Sequence, residues 1–213
     1  MFTSLLRMAT KYGFSYIREQ LVDSIKGAYP TKWGGPGTAK VLGEDVFGSP
    51  IPHPNAVLNL FLEQGVKFAL PFAAYRAILG GFPSLTSDKP GTVLPRPALA
   101  STIYGMGVIR GRLAQCAHSI VCDMSLGECR DRTCAANVCS NLPQVRMEAL
   151  NEIYNAMAKG VKGDVLSSRL PANIDTVCAN CVRTPVETYR LWCEMTWGEL
   201  PRIFGVGKSW EEV

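Results

Sequence analysis

Apolar residues recur along this chain every three or four positions, and no stretch of useful length alternates apolar with polar. A period near 3.6 selects helices with one buried face, whereas a half-buried strand needs a period of two. The chain is therefore expected to be all-α. Leu5, Ala9 and Tyr12 share one face of a first helix that Gly13 ends. Ser15 can cap a second helix, carrying Ile17, Leu21 and Ile25. Residues 30–53 form a long Gly/Pro-rich connection. Pro54 suits the first turn of a third helix, with Leu58, Phe61, Leu62 and Gly65 in register. Pro71 opens a fourth with Ala74, Tyr75 and Ile78, closed by Gly80 and Gly81. Residues 82–97, with Pro83, Pro90, Pro95 and Pro97, read as a second loop. Further helices are expected at about 104–121 (Ile109, Leu113, Cys116, Ile120) and about 143–160 (Met147, Leu150, Tyr154, Met157). A last one starts at the capping box Thr184-Pro185-Val186-Glu187 and carries Arg190, Cys193 and Trp197.

A hydrophobic fraction of 47% against 19% charged marks a globular chain. The net charge of +4 is spread from Arg7 to Lys208 among acidic residues, so it gives no single basic face for nucleic acid. The first twenty residues lack the apolar core of a signal peptide, and no apolar run approaches the ~18 residues that span a bilayer. An intracellular protein without membrane contact is expected, and its cysteines are then thiols or metal ligands rather than disulfides.

Five of the eight cysteines fall in two groups: Cys129, Cys134 and Cys139 in GECRDRTCAANVCS, and Cys178 with Cys181 in TVCANCVR. A CxxC knuckle delivers two sulfurs to one ion, and four thiolates close a tetrahedral structural zinc site. Cys134, Cys139, Cys178 and Cys181 are the expected ligands, with Cys129 as substitute for Cys134. A helix of roughly 18 residues between the groups is about 27 Å long, and the return loop can span that distance. The rival reading is that all are small buried hydrophobes, which suits Cys116, Cys122 and Cys193. A closed site of this kind holds a fold together and leaves no open position for chemistry. A compositional break near Leu126 divides the chain into a helical region, 1–126, and a Cys-rich segment with two helices packed on it, 127–213.

LLRMATKYGFSYIREQLVDSIKGAYP followed by PNAVLNLFLEQGVKFALPFAAYRAI resembles the helical region after the BTB/POZ domain in basidiomycete BTB proteins. The ending TWGELPRIFGVGKSWEEV, with Trp197, Leu200, Pro201, Phe204, Gly205 and Trp210, is similar too. So are Gly111-Arg112-Leu113 and a cysteine group before a final helical pair. The resemblance covers nearly the whole chain and implies a BACK-like all-helical scaffold for an unknown protein partner. The α/β BTB fold itself is absent, which implies a piece of a longer protein or a BTB-less relative. BTB dimerisation and cullin docking therefore do not carry over.

Other constellations read as structural. Gly34-Gly35-Pro36-Gly37-Thr38-Ala39-Lys40 lacks the spacing of a phosphate loop. His118 with Cys116 or Cys122 would be a nucleophilic pair only if Asp123 oriented the ring; a partly buried helical histidine is the simpler expectation. His53 reads as a helix-entry residue. Trp192, Trp197, Phe204 and Trp210 either close the C-terminal segment onto the helical body or form a partner patch. The expected function is a non-catalytic interaction scaffold with a structural zinc. The alternatives are a zinc-dependent nucleic-acid-binding module using Arg130, Arg132, Arg146 and Arg183, and a cysteine-based enzyme.

Overall fold

The computed structural model describes residues 2–34, 47, 52–123, 166 and 179–213, with backbone alone at 121–123 and 179–185. These residues form eight α-helices and a 3-10 turn, with no strand among them. The helices are α1 (Phe2–Lys11), α2 (Ser15–Ala28), α3 (Pro54–Gln64), α4 (Leu70–Leu79), α5 (Gly81–Leu85), α6 (Arg96–Asp123), α7 (Ala179–Gly198) and α8 (Leu200–Ile203). The 3-10 turn Lys67–Ala69 leads into α4.

α4 is the hub. Its sequence, LPFAAYRAIL, is apolar nearly all round, the pattern of a helix buried on every side, and only Arg76 and Leu79 escape full burial. α3, α5, α6 and α8 pack around it, α7 lies along α6, and α1 joins the body through α3. One hydrophobic cluster takes in Leu6, Ile25, Phe61, Phe72, Tyr75, Leu113, Leu166, Trp197 and Leu200. Tyr29 packs edge-on against Phe61 and Phe72, with centroids 4.9 and 5.6 Å away, a favoured aromatic geometry.

The expected helix end at Gly13 is present, and Gly65, read as part of the apolar register, turns out to end α3. Gly13 (φ 69°) takes the left-handed conformation, with Gly13 N–H donating to Thr10 O and Phe14 N–H to Ala9 O. Those two bonds are the pair that satisfies the last carbonyls of a helix closed by glycine. The same pair recurs at Gly65 and Val66, and at Gly205 and Val206.

Three expectations need correction. Ser15 makes no side-chain cap; α2 simply starts there after Phe14. The stretch 82–97 is not all loop, because α5 covers Gly81–Leu85 and α6 begins at Arg96 rather than near 104. Pro83 and Pro97 sit in the first turns of those helices, where a missing N–H costs nothing. The capping box does not start the last helix, which begins at Ala179 and runs through Pro185. The boundary near Leu126 and the helix expected at about 143–160 lie outside the described residues.

Two asparagines tie the α5–α6 connection to α3. Asn55, fully buried, donates from Nδ2 to Ser84 O (2.9 Å), Thr92 O (3.1 Å) and Leu85 O (3.4 Å). One turn later Asn59 donates to Val93 O (2.8 Å) and Gly91 O (3.3 Å). A connection rich in proline cannot satisfy its carbonyls by its own ladder, so side chains do it.

Candidate functional site

Trp197 and Phe204 are buried, and Trp192 and Trp210 pack on the core. The first of the two readings for these aromatics therefore holds. Trp197 lies 5.1 Å from Phe72 and stacks on Trp210 at 6.2 Å. Its Nε1–H donates to Thr31 O (3.3 Å), and Trp210 Nε1–H donates to Trp197 O (2.8 Å). Glu199, between α7 and α8, accepts from Arg112 of α6 at 2.6 Å and from Arg202. The hydrogen bonds from Arg112 and then Arg202 hold its carboxyl below the usual range.

Where this closure meets α3, α4 and α6 it leaves a cleft of about 390 Å³. Its walls are Leu58, Leu70, Ala74, Thr102 and Phe204, all buried, and its rim carries Lys67 and Glu212. Ser101 donates its hydroxyl proton to Phe204 O across the cleft, fixing the C-terminal segment to α6.

The second feature is the turn between α1 and α2. Leu5 and Met8 on α1 and Tyr12 just after its end stand at i, i+3 and i+7, beside the buried Leu6 and Ala9, and all three are exposed. Phe14 (51% exposed), Tyr16 (71%) and Ile17 (45%) continue this surface around the turn, a concentration unusual for solvent-facing residues. Tyr12 and Phe14 touch, with centroids 6.1 Å apart, and the Lys11 ammonium lies 5.4 Å from the Tyr12 ring centre. Arg7 is tied to Glu63 (2.8 Å) and Arg18 donates to Gln64 O (3.2 Å), which anchors the hairpin to the end of α3. Sequence reasoning placed Tyr12 and Ile17 on inward faces. They are exposed, as is Leu5 from the same reading, and α1 buries Leu6 and Ala9.

The expected metal ligands Cys134, Cys139 and Cys178, and the substitute Cys129, lie outside the described residues. Cys181 is described by its backbone alone, in the first turn of α7. Among the described residues no three His, Cys, Asp or Glu gather as a metal site. Arg130, Arg132 and Arg146 are likewise outside, as is the side chain of Arg183.

Cys116 and Cys193 are buried in the core, as expected. Burial pushes the Cys116 thiol up to about 11, away from a nucleophile's range. His118 is exposed rather than partly buried, since two positions along a helix turn it away from the face that buries Cys116. The side chains of Cys122 and Asp123 are outside the described residues. His53 does enter α3. Its Nδ1 accepts from Asn55 N–H (3.2 Å), so Nε2 carries the proton and donates to Ser84 Oγ (3.2 Å).

No helix among the described residues is long and apolar enough to cross a membrane. No protein-family model matches this chain, and neither does any curated protein or solved structure.

Proposed function

We propose that this chain is a non-catalytic helical interaction module, of the kind its sequence resembles in fungal BTB proteins, with a structural zinc in its Cys-rich segment. The observation that carries the interaction reading is the exposed apolar surface at the α1–α2 turn. Large apolar side chains left in water there are the usual mark of a partner surface. The i, i+3, i+7 spacing of Leu5, Met8 and Tyr12 suits an amphipathic helix laid alongside α1. Lys11, which makes no ion pair among the described residues, favours acidic residues flanking that helix's apolar face.

A photo-crosslinking phenylalanine analogue at Phe14 or Tyr16 tests this in native cells, with Tyr104 on α6 as the control position. The reading expects adducts at the turn to one polypeptide, whose linked segment sequences as amphipathic and acid-flanked. Adducts to lipid, equal adducts from Tyr104, or none would overturn it.

The zinc rests on donor chemistry alone: Cys134, Cys139, Cys178 and Cys181 supply four thiolates at spacings a structural site uses. Reduced protein purified without chelator should hold about one zinc per chain. Elemental analysis finding none would remove the metal and leave the interaction reading standing.

A further inference from the structure

The cleft between α3, α4, α6 and the C-terminal segment has the composition of a small-molecule site. Its volume of about 390 Å³ falls in the range of roughly 300–1,000 Å³ typical of ligand pockets, which are apolar with a few placed polar groups. Leu58, Leu62, Leu70, Ala74, Phe204 and Val206 give it apolar walls.

The polar lining is selective. Thr102 Oγ1 donates to Ala98 O at 2.6 Å, and Ser101 Oγ donates to Phe204 O. Both hydroxyl protons are thus directed into the protein. The N–H groups of Gly205 and Val206 donate to Arg202 O and Pro201 O. Among the lining residues this leaves the exposed Lys67 ammonium as the side chain able to donate to a ligand, and it has no ion pair among the described residues. On the rim stands Glu212, whose carboxylate accepts Lys208 N–H at 2.8 Å. It disfavours a doubly charged head group such as phosphate.

We propose that this cleft binds a small amphiphile with an apolar body and one anionic head, a carboxylate, the body lying against Phe204, Leu58 and Leu70 and the head at Lys67. The site is separate from the α1–α2 surface and stands whether or not that surface binds a partner.

Calorimetric titration of the full chain with dodecanoate, below its micellar concentration, tests the proposal, with dodecyltrimethylammonium as the cationic counterpart. One molecule should bind per chain, shifting the NMR resonances of Thr102 and Val206. Lys67→Gln, an exposed change that leaves the fold intact, should weaken binding about fivefold, the upper end for one exposed charge contact. Ala98→Phe, half-buried at the rim, should block entry while the circular dichroism stays native. Absence of saturable binding, equal binding of the cationic amphiphile, or unchanged affinity in both variants would overturn the site.

Discussion

Asn55 is a buried amide with its hydrogens aimed at three carbonyls of another segment. Asn55→Asp keeps the shape and removes the donor, setting a carboxylate against those carbonyls. Leaving buried acceptors unpaired costs about 1–3 kcal/mol, and more when a charge is involved. Asn55→Asp should therefore lower the urea midpoint more than Asn55→Ala does, and equal losses would show that the amide matters only for packing. Two glycines on α6 offer a test with opposite signs. A Cβ on Gly105 would clash with Phe204 Cε1, so Gly105→Ala should destabilise by about 1–3 kcal/mol through overpacking. A Cβ on Gly107 meets nothing within 4 Å, and Gly107→Ala should stabilise by roughly 0.5–1 kcal/mol through helix propensity. Thermal melts of the two variants check both signs at once.

At the scale of elements, α3 shows what the sequence made legible and what it hid. Pro54 at its start and the apolar register Leu58–Phe61 were readable, because each acts through neighbours along the same helix; Gly65, read as a member of that register, ends the helix instead. The role of Asn55 and the bond of His53 to Ser84 were hidden, since those partners lie about thirty positions away in a stretch that reads as loop. The same cause moved the start of α6. Pro95 and Pro97 carry a local stop signal, and only packing reveals that they sit at a helix entrance. The cleft left no sequence signal at all, because its walls come from four separate segments and each wall residue looks like core. The α1–α2 surface was half legible: Leu5, Tyr12 and Ile17 were read as face residues, but their exposure, and the part of Met8, Phe14 and Tyr16, follow only from how α1 and α2 pack. His53 gives the element a pH dependence. Burial, and then the nearby Lys89 charge, hold its pKa below the ordinary value of 6.5. The unfolded chain thus takes up a proton first as pH falls. The stability this group contributes is present above pH 6.5 and is lost as pH drops through the folded-state value. His53→Asn, which retains a cap acceptor that does not titrate, should flatten the fall in urea midpoint over that window. An unchanged slope would assign the effect to other groups.

At the scale of the whole molecule, the core is closed by its last turns. Leu200, Ile203 and Phe204 are buried against α4 and α6, and Trp210 covers Trp197. Removing residues 200–213 should uncover the Phe72–Trp197 contact and turn one sharp unfolding transition into a broad one with a lower m-value. Urea titration read by tryptophan fluorescence checks this, and a transition as steep as that of the intact chain would refute it. The order in which the core's parts leave the ribosome adds a consequence for synthesis. α4 emerges well before the segment that covers it, by a delay on the order of ten seconds at typical elongation rates. Throughout that interval Phe72, Ala74 and Tyr75 have no final lid, so the nascent chain leaves its most apolar helix uncovered. Chaperone occupancy on the ribosome should accordingly begin once α4 clears the exit tunnel and fall only after residues 200–213 have cleared it too.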